Sequence, residues 1–203
     1  MSDARAAILA RLRAAPAAPL PELPDWAPPA FADRLERFRL MLEAVHGEVH
    51  PVPASEWRRH LRAILSAKGV GRVMAAPALA VDWPELVAYD RPIEDLKDLL
   101  VDGIDAAITR ARAGIAETGS LVLWPDAEEP RLLSLLPPLH VVLLEAGHLV
   151  DSLAALMAAE DWAAGMPTNA LLISGPSKTA DIEQTLAYGV HGPKELVVLV
   201  LMP

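Results

Sequence analysis

A polar loop follows an apolar run at Leu171-Leu172-Ile173-Ser174-Gly175-Pro176-Ser177-Lys178-Thr179-Ala180-Asp181-Ile182-Glu183. The run reads as a buried strand, and residues 179–188 read as a helix. In open α/β sheets, ligands gather at the carboxyl ends of strands. A helix N-terminus adds free N–H groups and the positive end of its dipole. Ser174, Ser177 and Thr179 contribute hydroxyls around Gly175, and Lys178 is the one positive side chain of the loop. That set suits an anionic ligand. It is not a Walker loop, because the glycine spacing and the GK[ST] ending are missing. A local reading competes: Ser177 or Thr179 caps the helix, and Asp181 and Glu183 complement its dipole. Those two acids would also repel an anion that faced them. Lys178→Ala separates the readings, since it matters only if the loop holds an anion.

Two further stretches carry reactive groups. In Ala113-Gly114-Ile115-Ala116-Glu117-Thr118-Gly119-Ser120-Leu121-Val122-Leu123, Gly114 and Gly119 bracket an acid just before an apolar strand. Glu117 on such a constrained turn is a candidate general acid/base or nucleophile, with Gly114, Thr118 and Gly119 as ligand contacts. The alternative is a turn glutamate bonded to nearby backbone N–H groups. In Gly189-Val190-His191-Gly192-Pro193, His191 lies between the last helix and the last strand, as a catalytic candidate or a solvated turn residue. His46 and His50 have metal-like spacing, but Gly47 and Pro51 break the helix that would align them. His140 opens a buried strand and reads as a satisfied edge histidine. There is no G-x-S-x-G elbow and no convincing Ser–His–Asp order.

Composition excludes several classes. The 203 residues include no cysteine. The chain therefore has no disulfide framework, no thiolate for zinc or an iron–sulfur cluster, and no cysteine nucleophile. That fits a cytoplasmic address. The net charge of −9 is uneven. Beyond Arg112 only Arg131, Lys178 and Lys194 are basic, against 11 acidic residues. An acidic C-terminal half argues against nucleic acid, which needs clustered Lys and Arg. Asp3, Arg5, Arg11 and Arg13 interrupt the N-terminal apolar pattern, which is no signal peptide. No apolar run is long enough to span a bilayer.

The elements that must position these residues follow from periodicity. Residues 4–13 read as a short helix, and six prolines between Pro16 and Pro29 read as an extended linker. The expected division is a helix and linker over 1–29 and an α/β domain over 30–203. Phe31, Leu35, Phe38, Leu42 and Val45 mark a helix over 31–45, ended by Gly47. A short extended segment at 49–52 precedes a helix over 55–67, capped at Ser55 and closed by Gly69. Strands are expected at 72–76 and 86–89, with a helix at 93–100. Further strands are expected at 106–109, 120–124, 140–144, 170–173 and 196–201. Helices at 150–159 and 179–188 separate the last three, so these three should pair in parallel through right-handed crossovers.

Taken together, the runs 173–183 and 189–193 resemble the C-terminal signature of the lactate-utilization protein C family, which carries the LUD domain. The run 114–123, with Arg131-Leu132-Leu133-Ser134-Leu135-Leu136-Pro137 and His140, is similar to the family's central block. The resemblance covers roughly residues 102–201, and Lys178 stands where the family leads one to expect arginine. It implies an α/β fold akin to the NagB/RpiA/CoA-transferase superfamily: a parallel-rich sheet covered by helices, here with an N-terminal helical extension. It also implies a part in oxidising L-lactate to pyruvate beside two iron–sulfur partner proteins. No cofactor is then expected on this chain, and the clusters belong to the partner subunits. The alternative is a stand-alone NagB-like enzyme, or a binder of a small anionic ligand such as a sugar phosphate or CoA ester. Its site would draw together Glu117, Ser174, Ser177, Lys178, Thr179 and His191. A scaffold with purely structural turns is the third reading.

Overall fold

A computed structural model describes residues 2–16, 27–180, 186–189 and 191–203. The chain begins with α1 (Ser2–Ala14), α2 (Arg34–Glu43), β1 (Glu48–Pro53), α3 (Trp57–Ala67), β2 (Arg72–Ala75) and β3 (Glu85–Ala88). It continues through α4 (Ile93–Asp102), β4 (Ala106–Arg110), β5 (Ala113–Ile115), β6 (Ser120–Leu123), α5 (Arg131–Leu135) and β7 (Leu139–Glu145). The last elements are β8 (Leu149–Val150), α6 (Leu153–Ala159), β9 (Leu171–Ile173), β10 (Lys178–Ala180), β11 (Leu186–Tyr188) and β12 (Glu195–Met202).

Six strands form the central sheet in the order β1-β12-β7-β4-β2-β3. Every neighbouring pair in it is parallel. Strands covered on both faces read as continuous apolar runs, and residues 196–200 and 139–144 are buried without interruption. On one face α3 lays Trp57, Leu61 and Leu65, four residues apart, onto Ile108, Val141, Leu143, Val197 and Leu199. On the other face Phe38 and Leu42 of α2 meet Val142, Leu144, Val198 and Val200. Leu96 and Leu100 of α4 and Leu133 of α5 cover Met74 and Ala107 beside them.

A second, four-stranded sheet has the order β8-β5-β6-β9. β5 and β6 form an antiparallel hairpin, β8 runs parallel to β5, and β9 runs antiparallel to β6. Leu121 and Leu123 join the cluster around Phe38 and Leu42, so α2 packs against both sheets. The start of α2 is fixed twice. The Asp33 side chain accepts from the Glu36 N–H at 2.9 Å. Asp151, in the turn before α6, accepts from the Phe31 N–H at 2.9 Å and from Arg34 Nη2 at 2.6 Å. The Arg34 guanidinium first, and then the Phe31 N–H, hold the Asp151 carboxyl below its ordinary range.

Several expectations are corrected. The helix expected over 179–188 is not found in its described residues: β10 and β11 pair antiparallel, with Lys178 opposite Tyr188, and residues 181–185 lie outside the described part. Backbone pairing brings the ends of this stretch together. Ser177 N–H donates to the Pro193 carbonyl at 2.8 Å, and Gly189 N–H donates to the Ser177 carbonyl at 2.9 Å. These bonds, made to residues distant in sequence, outweigh the local capping pattern. Residues 171–173 do not join the parallel sheet either. They form β9 of the second sheet, where Leu172 is half exposed, unlike the doubly covered central strands. Ser55 does not cap α3, because the helix begins after Glu56, whose carboxylate turns to Arg59 instead. Ser152, not Val150, starts the next helix, accepting from the Ala155 N–H at 3.1 Å.

Candidate functional site

The antiparallel register of the second sheet brings two of the candidate stretches together. Leu121 pairs with Ile173, which sets Ser120 beside Ser174. Their hydroxyls lie 2.6 Å apart, and Thr118 Oγ1 lies 2.7 Å from Ser120 Oγ. A chain of three hydroxyls therefore runs from the exposed Thr118 through the buried Ser120 to Ser174.

Ser174 opens onto a cavity of about 260 Å³. Its polar walls are Ser134, His140, Ser174, Ser177 and His191. Leu135, Leu172, Ile173, Pro193 and Leu196 supply apolar surface, and Gly175 and Gly192 complete the lining. Four sequence candidates, Ser174, Gly175, Ser177 and His191, thus share one cavity. Close packing builds it: Gly175 has φ +135°, and a Cβ there would sit 2.9 Å from Val45 Cγ2. Among the described residues, no Lys, Arg, Asp or Glu belongs to the walls.

The other candidates stand elsewhere. Glu117 is half-buried in the β5–β6 turn, outside the cavity lining. Its N–H donates to the Asp151 carbonyl at 2.9 Å, and its carbonyl accepts from Arg37 Nη2 at 3.5 Å. Gly114 lies in the core, where a Cβ would meet Leu144 Cδ2 at 2.7 Å and Leu149 Cδ2 at 2.8 Å. Gly119 abuts the α2 backbone. Lys178 is exposed on β10 beside Thr179, and neither is a wall residue. With residues 178–180 in a strand, the helix start expected at Thr179 is not found among the described residues.

Sequence reading missed His140 as a wall residue. It expected a satisfied histidine at an edge, yet β7 lies inside the sheet, between β12 and β4. The ring is wholly buried, with Nε2 2.8 Å from Thr109 Oγ1 and no hydrogen-bond partner for Nδ1. The available signal was a polar residue inside the otherwise apolar run 139–144, since buried polar groups are few and normally paired. Ser134 and Ser120, both buried, were missed on the same ground.

Burial holds the His140 pKa down from 6.5 to about 3. The folded imidazole is therefore neutral above about pH 3, whereas the unfolded one takes a proton as pH falls through 6.5. Between those values the unfolded chain binds more protons, so this residue's share of stability is lost on acidification. It should remove about 2 kcal/mol between pH 7.5 and pH 5. Urea unfolding at both pH values checks this: His140→Gln should show a correspondingly shallower decline than the native chain.

A larger cleft of about 700 Å³ lies between Pro77, Ala78, Tyr89, Asp90, Arg91, Pro92, Ala127 and Glu128. It gathers none of the sequence candidates, and Arg91 in it pairs with its own neighbour Asp90 at 3.2 Å. The smaller cavity is the better site because its walls combine several hydroxyls with a half-satisfied buried histidine. Among the described residues, no group of three or more His, Asp or Glu is placed to hold a metal ion, and no helix is long and apolar enough to cross a membrane.

Comparison with known proteins gives the family. The model of the LUD domain matches residues 35–201. An uncharacterized protein of Neisseria meningitidis is 37% identical over 222 residues, covering 99% of this chain and 94% of that protein. A lactate utilization protein C of Deinococcus radiodurans is 30% identical over 187 residues, covering 90% of this chain and 86% of that one. In structure, the chain is similar to a DUF162 family protein from Deinococcus radiodurans, with a TM-score of 0.61 and 23% identity over 86% of this chain and all of that one. The α/β architecture with its parallel sheet is therefore a shared one, and the chain belongs to the LUD-domain family.

Proposed function

We propose that this chain is the LUD-domain member of a lactate-utilization system, and that its cavity at Ser174, Ser177, His140 and His191 binds a small polar acid. The observation that carries this is coverage. The family match over 35–201 includes every wall residue of the cavity, and relatives named lactate utilization protein C align over most of the chain. Oxidation of L-lactate to pyruvate releases two electrons and two protons. A chain without cysteine has no thiolate to hold an iron–sulfur cluster. The electrons then pass to iron–sulfur partner proteins, and this subunit binds and orients rather than carries charge. A cavity of this size, below the usual range for drug-sized ligands, suits a three-carbon acid better than a CoA ester.

The test is genetic and biochemical together. Affinity purification from lactate-grown cells should bring down proteins containing iron and acid-labile sulfide. A clean deletion should lose growth on L-lactate and keep it on pyruvate. Normal growth on lactate in a deletion strain with no second copy would overturn the assignment.

A further inference from the structure

One wall residue of the cavity has hydrogen-bonding capacity that its protein neighbours leave unused. His140 is wholly buried, lines the cavity, and leaves Nδ1 without a partner. Its other nitrogen is committed to Thr109, itself buried. A neutral imidazole has one donor and one acceptor nitrogen. A threonine hydroxyl can fill either role, so Thr109 permits both tautomers. When Thr109 donates to Nε2, Nδ1 carries the proton and donates. When Nε2 carries the proton and donates to Thr109, Nδ1 accepts.

We infer that the Thr109–His140 pair is a reversible hydrogen-bond contact that lets the cavity hold both the alcohol and the carbonyl form of one small acid. The inference rests on the cavity reading given above and names the ligand class: 2-hydroxy and 2-oxo monocarboxylates. A 2-oxo oxygen takes a hydrogen bond from Nδ1–H, and a 2-hydroxyl gives one to bare Nδ1. Ser174, Ser177 and His191 supply the polar surface for the carboxylate, and no Lys, Arg, Asp or Glu stands among the described wall residues. Burial keeps the imidazole neutral, and neutrality is what makes two tautomers available. The pair is a specificity contact and transfers nothing by itself. Bound substrate and product differ at the 2-carbon oxygen, and the same nitrogen meets both.

The test uses the full chain labelled with 15N at histidine, titrated with L-lactate, pyruvate and propionate, which lacks the 2-oxygen. The His140 signals are assigned by their loss in His140→Phe. Pyruvate should move the ring toward the Nδ1–H tautomer and lactate toward the Nε2–H tautomer, with propionate doing neither. His140→Phe should weaken lactate and pyruvate about tenfold, the scale of one lost hydrogen bond, and leave propionate unchanged. Thr109→Val keeps the ring in place and should change the lactate-to-pyruvate affinity ratio, so the inference stays testable if His140→Phe fails to fold. Binding of both acids with an unmoved His140 ring overturns this inference alone. No binding of either acid overturns the cavity reading and this inference with it.

Discussion

Gly119→Ala is expected to lower the stability of this protein by about 2–5 kcal/mol, combining left-handed backbone strain with overpacking. Gly119 has φ +66°, a conformation that L side chains rarely adopt. An added Cβ would stand 2.5 Å from the Leu42 backbone nitrogen and 2.9 Å from the Met41 carbonyl carbon. Both are backbone atoms inside α2, which cannot yield without shifting the helix. Gly69 is the matched control, since its φ is +67° and a Cβ there meets nothing within 4 Å. Gly69→Ala should therefore cost only the backbone strain, about 1–2 kcal/mol. Urea denaturation of the two variants beside the native chain measures the difference. Equal losses would show that the turn is not pressed against α2. Because Ser120 follows Gly119 directly and bonds Ser174, Gly119→Ala should also weaken any ligand of the cavity.

Phe38→Ala is the second large effect, expected at about 3–5 kcal/mol. Phe38 is fully buried and packs in one cluster with Leu121 of the second sheet and Val142, Leu144 and Val198 of the first. Truncation leaves a void between two sheets that meet through this helix, and a close-packed interior refills such a void only in part. Leu40, two residues further on and on the solvent side of the same helix, is 57% exposed. Leu40→Ala should stay within about 0.5 kcal/mol. A thermal or urea midpoint that falls equally in both variants would contradict the packing role given to α2.

The central sheet was legible because burial on both faces leaves a mark in sequence. Residues 196–201 of β12, and 139–144 of β7 apart from His140, are apolar residue after residue, and both were read as buried parallel strands. The α2 stripe was legible for a similar reason, although its last member, Val45, lies beyond the helix and is exposed. The candidate site was legible in part. Ser174, Gly175, Ser177 and His191 lie close in sequence, and they share a cavity. Glu117, Lys178 and Thr179 looked equally promising by type, but burial and direction decide membership of a wall, and neither is written in a single residue.

What the sequence determined by itself is therefore the family, the parallel core and the polar segments that border the cavity. The family rests on the resemblance of its motifs, and the parallel core on local periodicity, which records which faces of an element are covered. Only the tertiary structure decided that β9 leaves the parallel sheet to pair with β6, and that the stretch after Ser177 pairs as strands. It also decided that His140 lies inside the sheet with one nitrogen satisfied by Thr109. Each of these is a choice of partner across a long sequence separation, where backbone hydrogen bonds and close packing override the preferences of neighbouring residues.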